Sequence, residues 1–297
     1  MIPSRVRIVE VGPRDGLQNE SAPVATADKI AFVDALSAAG HSVIEVSAFV
    51  SPKWVPRMAD AADVFAGITR RPGTRYTALV PNVEGLERAI AAHVDEAAVF
   101  AAASDTFSRR NINQSIDASL ERYRDVCARA AAVSLPVRAY VSTAFGCPFE
   151  GAVDSAAVAR VAAALIEMGA YEVAISDTIG VAHPGQVTRV MDVVMAQVRR
   201  EQIALHFHDT RGTALANVLT ALHLGIAAFD SSAGGLGGCP YAPGATGNLA
   251  TEDLLYMLNG LEIDTGVDID AVAAASRLIA ASLDHPLPSR YLAATRS

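Results

Sequence analysis

The chain has 297 residues, 51% of them hydrophobic and 19% charged, which is ample for a large core and typical of a folded globular protein. A formal net charge of −8 argues against nucleic acid as a partner, and polar residues break every long apolar stretch well short of a membrane span. Met1-Ile2-Pro3-Ser4-Arg5 lacks a secretory apolar region or an Arg-rich transit pattern, and the three cysteines, Cys127, Cys147 and Cys239, form no metal-type spacing; reduced thiols in a cytoplasm are expected.

Short β-branched runs alternate with Ala-rich helical stretches along the chain. Candidate strands begin near Arg5, Ser42, Arg75, Glu96, Val137, Tyr171, Gln202 and Ala227, each followed by a segment of helical character. Residues 26–39 and 155–168 carry apolar side chains at helical spacing, the second with a Ser or Asp start signal. Gly40, Gly169 and Gly225 close helices. Eight βα units predict a parallel sheet closed into a (β/α)8 TIM barrel as one catalytic domain, with extra C-terminal helices at roughly 270–284.

In such a barrel the C-terminal ends of the strands face the active site. The polar residues there are Arg14 and Asp15 after strand 1, Glu45 and Ser47 on strand 2, Ser142 and Thr143 on strand 5, and Asp177 and Thr178 after strand 6. His206 and His208 follow on strand 7, and strand 8 ends in Asp230-Ser231-Ser232. This is more charge than a structural rim needs.

His206-Phe207-His208 follows the apolar run Ile203-Ala204-Leu205, so strand alternation puts both imidazoles on one face and Phe207 on the other. Strands 1 and 8 adjoin in a closed barrel, which lets Asp15 converge on the histidines, and Asn248 can add an amide carbonyl. One carboxylate, two imidazoles and one amide suit a divalent cation with open positions. Mg²⁺ or Mn²⁺ matches the oxygen ligands, and Zn²⁺ or Co²⁺ the imidazoles. Asn248 also reads as the N-cap of the helix in LATEDLLYML, and Asp15 as a turn cap. Glu45 is costly on a buried strand unless paired; Arg14 is one candidate partner and a metal-linked hydrogen bond another.

Residues 234–247, GGLGGCPYAPGATG, are too rich in glycine for helix or strand. They read as a loop able to close over a site, or as a phosphate cradle. Cys239, in its middle, is a usable general acid, whereas Cys127 reads as core and Cys147 as packing near the mouth. Lys53, Arg57, Arg109 and Arg110 lie in loops after strands 2 and 4 and point to an anionic substrate.

From about residue 5 to 267 the chain resembles the 3-hydroxy-3-methylglutaryl-CoA lyase family. The motifs that carry the likeness are VEVGPRDGLQNE (9–20), SAFVSPKWVPRMAD (47–60), NINQSIDAS (111–119), SDTIGVAHPG (176–185), HFHDTRG (206–212) and GLGGCPYAPGATGNLATEDLLYML (235–258). HFHDT alone is shared with Claisen synthases that make isopropylmalate or homocitrate; the glycine–cysteine loop is the more specific feature. The resemblance implies Asp15, His206, His208 and Asn248 as ligands of Mg²⁺ or Mn²⁺. It implies Arg14 at the thioester carbonyl, Glu45 and Asp177 as acidic active-site positions, and Cys239 as the catalytic loop cysteine. His206 and Asp15 are the candidate bases.

The reaction implied is retro-Claisen cleavage of 3-hydroxy-3-methylglutaryl-CoA into acetyl-CoA and acetoacetate, as in leucine breakdown, with a Claisen condensing synthase on the same fold as the alternative. Lys53, Arg57, Arg109, Arg110 and Asn111 would bind the coenzyme A portion, and the assembly would be a homo-oligomer, a dimer or tetramer. Arg211 and Ser176 depart from the family's usual tyrosine and glycine. Both lie at the mouth, so a longer branched 3-hydroxyglutaryl-CoA is an alternative substrate.

Overall fold

A computed structural model describes residues 2–21, 23–238 and 247–295. Eight strands run in parallel: β1 Arg7–Glu10, β2 Val43–Ala48, β3 Arg75–Leu79, β4 Glu96–Ala102, β5 Val137–Ser142, β6 Glu172–Asp177, β7 Ile203–Phe207 and β8 Ala228–Ser231. Each pairs with the next, and β8 pairs with β1, closing the barrel. Every strand starts within two residues of its predicted place because β-branched alternation and the preceding turn fix the entry point.

The helices are α1 Thr26–Ala38, α2 Ala61–Gly67, α3 Val83–Ala91, α4 Asp105–Ile112, α5 Ile116–Ala131, α6 Ser155–Glu167, α7 Pro184–Met195, α8 Ala214–His223, α9 Thr251–Gly260, α10 Ile269–Ala280 and α11 Arg290–Ala294. Asp154 caps α6 by accepting from Ala156 N at 3.0 Å. Gly40, just beyond α1, has φ +99°, a conformation in which a side chain is strained. The apolar faces of the helices meet the outward strand residues in one continuous core that includes Phe32, Leu36, Ile44, Tyr123, Leu165 and Leu205. Cys127 belongs to that core, and burial pushes its thiol up to about 11. Among the described residues no helix is long and apolar enough to cross a membrane.

The C-terminal segment differs from expectation. α10 ends at Ala280, several residues early, and packs along α1. Asp284-His285-Pro286-Leu287-Pro288 then runs non-helically to α11, because prolines remove amide donors and disfavour the helical region before them.

Charged side chains cross the inside of the barrel. Arg138 on β5 reaches Asp230 on β8, with Nη2 to Oδ1 at 2.7 Å, and its Nε donates to Glu172 Oε1 on β6 at 2.7 Å. Arg7 on β1 donates to the other Glu172 oxygen. Tyr140 on β5 donates to Glu45 on β2 at 3.2 Å. All but Arg7 are almost fully buried, so each charge is tolerable only because an opposite charge meets it.

Candidate active site

Strand order delivers the site to one end of the barrel. After β1 the chain makes one wide turn, Gly12–Gly16, in which the amides of Asp15 and Gly16 both donate to Val11 O. This turn presents Arg14 and Asp15. His206, one residue before the end of β7, lies opposite Asp230 on β8, and His208 lies just beyond the strand. Residues 247–251 return alongside: Asp209 N donates to Gly247 O, Leu249 N to Phe207 O, and Ser232 N to Leu249 O. Asn248 is thereby fixed opposite His208. The helix it was expected to cap starts at Thr251 behind Ala250, so Asn248 is not an N-cap, and its side chain turns to Asp15 instead.

The structure brings Asp15, His206 and His208 together, with one potential ligand atom of each within 4.8 Å of the others. Asp15 Oδ2 stands 3.9 Å from both His206 Nε2 and His208 Nε2. That is too long for a hydrogen bond, yet short enough for one ion at roughly 2.0–2.2 Å from each atom to lie between them. Asn248 Nδ2 donates to Asp15 Oδ2 at 2.9 Å and to Leu236 O at 3.1 Å. Both amide protons are thus used, and Asn248 Oδ1 is left buried with no donor among the described residues. Both ring nitrogens of His208 are likewise buried and unpartnered among the described residues. Unsatisfied buried acceptors facing an anionic carboxylate fit a divalent cation.

The surrounding charges are ordered. Arg14 Nη1 donates to Asp15 Oδ1 at 2.6 Å, and its Nε donates to Glu45 Oε2 at 2.8 Å. Its Nη2 lies 2.7 Å from the same Glu45 oxygen. Of the five guanidinium donors, two N–H remain for a substrate oxygen. Burial works against every ion here. It raises the Glu45 carboxyl despite Arg14. For Asp15, Arg14 and the two imidazoles outweigh burial and hold the carboxyl well below the usual range. His206 Nδ1 meets Asp230 Oδ2 at 3.2 Å, and this carboxylate outweighs burial to raise the imidazole.

Asp177 lies at the mouth with each oxygen holding one amide, Val181 N at 2.9 Å and Ala182 N at 3.0 Å, so it pins the turn after β6. Burial raises its carboxyl. Cys239 lies outside the described residues. Its loop is entered at Gly237, whose φ is +107° and where a Cβ would come within 2.8 Å of Asn248 Nδ2. Only glycine allows that close approach.

The cations divide. Lys53 is exposed beside Trp54, which is 86% exposed. Arg109 is exposed and paired with Asp105 at 2.6 Å. Arg110 stacks 4.3 Å from the Phe149 ring centre, and Asn111 is exposed at the end of the same helix, α4. Arg57 departs from the reading of a substrate cation: its guanidinium donates to the carbonyls of Glu20 and Ser21 and holds the loop after β1. Cys147 is buried near the mouth and accepts from Ser104 Oγ at 3.0 Å. Arg211 donates to the carbonyls of Ile179 and Gly180, tying the loops after β6 and β7 together.

Arg138 and Tyr140 are central residues that sequence reasoning missed, and Asp230 was seen only as a rim residue. The available signal was parity: Arg138 and Tyr140 share the strand face of Ser142, already placed at the mouth.

A closed parallel barrel with a carboxylate–imidazole cluster at the end where active sites of this architecture gather defines a TIM barrel, and the cluster has the ligand types to hold a divalent cation. The HMGL-like family model matches residues 5–279. The chain is 57% identical over 289 residues to the 3-hydroxy-3-isohexenylglutaryl-CoA/hydroxymethylglutaryl-CoA lyase of Pseudomonas aeruginosa, covering 97% of this chain and 96% of that one. A crystal structure of hydroxymethylglutaryl-CoA lyase from Pseudomonas aeruginosa superposes with a TM-score of 0.97 at 57% identity, covering 99% and 98% of the two chains. An Acinetobacter baumannii HMG-CoA lyase in complex with coenzyme A and 3-methylmalate gives 0.94 at 39% identity, covering 99% and 96%. The chain belongs to the hydroxymethylglutaryl-CoA lyase family and is a carbon–carbon lyase.

Proposed function

We propose that this chain cleaves 3-hydroxy-3-methylglutaryl-CoA to acetyl-CoA and acetoacetate with a divalent cation, Mg²⁺ or Mn²⁺. The observation that carries the reading is the cluster of Asp15, His206, His208 and Asn248 Oδ1, poor in internal partners, beside an arginine with free donors. Asp15, His206, His208 and Asn248 would hold the cation, which when bound lowers the pKa of a hydroxyl and polarises a carboxylate oxygen.

Each protein group then has a task. Asp15 and His206 are the groups placed to hold the proton that leaves the tertiary hydroxyl. The C2–C3 bond breaks, its electron pair goes to C2 of the thioester, and the hydroxyl oxygen becomes the ketone of acetoacetate. Arg14, clamped by Glu45 and Asp15, offers its two remaining N–H groups to the thioester oxygen where negative charge develops. A donor of this kind is worth roughly 10²–10³ in rate. Cys239 supplies the proton to C2. Lys53, Arg109, Arg110 and Asn111, all exposed, would meet the phosphates of coenzyme A.

The test is incubation with the thioester, with and without metal, while acetoacetate and acetyl-CoA are quantified. Condensation of acetyl-CoA with an α-keto acid, without cleavage, would move the chain to the synthases. A second reading, a longer branched 3-hydroxyglutaryl-CoA as substrate, is supported by the Pseudomonas aeruginosa relative, whose name covers an isohexenyl substrate as well. Comparing kcat/KM for the two thioesters decides between them.

A further inference from the structure

Behind the barrel wall, on the side away from the metal cluster, sits a carboxylic acid that the chemistry above does not use. Glu10 is fully buried. Its Oε1 accepts from Gly12 N at 2.8 Å and from Ala233 N at 2.9 Å, and its Oε2 accepts from Thr251 Oγ1 at 2.7 Å. Thr251 Oγ1 also lies 2.8 Å from Ser231 Oγ. The approach is close: a Cβ at Gly12 would stand 2.7 Å from Glu10 Oε1.

The three donors belong to three separate stretches of chain. Gly12 opens the turn that presents Arg14 and Asp15. Ala233 starts the segment leading to Leu236 and Gly237, which touch the Asn248 amide. Thr251 opens α9, three residues after Asn248. The loops at the mouth that carry Asp15 and Asn248 are thus joined from below by one side chain, as well as from above by the 2.9 Å bond between Asn248 Nδ2 and Asp15 Oδ2.

We infer that Glu10 is a positioning residue for the reaction: by holding Gly12, Ala233 and Thr251 it sets the distance between Asp15 and Asn248 and so the fit of the cation between them. The inference rests on the metal reading of that cluster. A displacement of about 1 Å at such a constellation is enough to cost a large factor in affinity or rate. The hydrogen-bond pattern, not a charge, does the holding. Burial pushes the Glu10 carboxyl up to about 8 against the pull of its donors, and the neighbouring His41, whose Nε2 is 3.7 Å away, is held neutral by burial at about 3. Glutamine has the shape of the protonated acid: its Oε1 can accept both amides and its Nε2, like the acid's O–H, can donate to Thr251 Oγ1, which then donates to Ser231 Oγ.

The experiment compares wild type, Glu10→Ala, Glu10→Gln and Thr251→Val in the full chain, reading Mn²⁺ affinity by titration calorimetry, thermal midpoint, and kcat and KM for the thioester. Glu10→Ala is expected to weaken Mn²⁺ binding roughly tenfold or more and to lower kcat similarly, with KM changed little. Glu10→Gln is expected to restore both to within about threefold. A folded Glu10→Ala with wild-type Mn²⁺ affinity and kcat, changed only in thermal midpoint, overturns the inference; so does a Gln variant as impaired as Ala. If the Ala variant does not fold, Thr251→Val decides, because it removes one of the three hydrogen-bond partners; unchanged Mn²⁺ affinity there overturns the inference. If wild type binds no Mn²⁺, the metal reading falls by itself, and Glu10 is judged on the contrast in kcat between Ala and Gln.

Discussion

His206 and Asp230 form a buried pair in which the Nδ1 of the imidazole faces Oδ2 of the carboxylate at 3.2 Å, while Arg138 Nη2 donates to the other oxygen at 2.7 Å. Arg138 and burial together keep Asp230 in place, and the pair leaves His206 Nε2 directed at Asp15. A carboxylate behind a ligating histidine fixes its tautomer and orientation.

Asp230→Asn is therefore expected to weaken metal binding by about 10–100-fold, the usual cost of losing such a partner. Titration calorimetry measures it, and ¹⁵N NMR of the histidine ring in metal-free protein shows whether the tautomer has changed. Unchanged affinity and an unchanged spectrum would remove Asp230 from the site.

Chelation should abolish cleavage, and Mg²⁺ or Mn²⁺ should restore it. Metal should also raise the thermal midpoint, since a ligand at about 100 times its Kd stabilises by about 2.7 kcal/mol. His208→Ala should lose both effects, because its two nitrogens have no other partner among the described residues. Full turnover in rigorously metal-free protein contradicts the proposal.

Glu10 predicts a specific pH dependence of stability. Its folded pKa of about 8 lies above the ordinary carboxyl value of 4.5, so the folded state keeps a proton that the unfolded chain releases. The contribution is complete below the unfolded value and is lost as pH rises through about 8. His41, lowered from 6.5 to about 3, has the opposite sign and gains stability over that lower range. Glu252 also faces Glu10 and adds to its rise. Thermal midpoints of wild type and Glu10→Gln measured from pH 5 to 9 should diverge at the alkaline end, with the Gln variant falling less. Parallel curves refute the assignment.

The surface cations should separate by role. Neutralising Lys53 or Arg109 should raise KM with little change in kcat, and the effect should shrink in high salt. Arg57→Ala should instead lower the thermal midpoint, because Arg57 holds the Glu20–Ser21 carbonyls. A loss in kcat alone at Lys53 or Arg109 assigns that residue to chemistry.

Cys239→Ser replaces an acid of pKa near ~8.5 with a far weaker one. kcat should fall by roughly 10²–10⁴ while metal affinity stays intact. Bound substrate should also protect the wild-type thiol from alkylation. Near-normal kcat in the serine variant takes Cys239 out of the mechanism.

The barrel was legible because strand and helix periods alternate cleanly, and the entry points of the strands needed no tertiary information. The grouping of Asp15, His206 and His208 was legible because these residues sit at strand ends, where polar residues stand out. Arg138 was not: within Val137-Arg138-Ala139-Tyr140 a charge looks like the solvent side of an amphipathic strand. In a closed barrel the side opposite the helices is the lumen, so the same alternation places Arg138 in the interior. Glu10 was hidden for the converse reason. It faces the helices, where an apolar residue is expected, and its three partners come from both ends of the chain. The end of α10 was misjudged because Ala-rich sequence continues the helical pattern beyond the point where packing on α1 stops supporting it.

The bond between Asn248 and Asp15 joins positions 233 residues apart. During synthesis, four-fifths of the chain must leave the ribosome after Asp15 before its partner exists. Capture of a cation by the proposed ligand set would thus not guide the early stages of folding; it would reward only the last one, when the eighth strand docks against the first. A nascent or truncated chain lacking residue 248 would hold Asp15 without the amide that ties it to the last loop of the barrel, so occupancy of the proposed metal site would serve as a readout of completed closure.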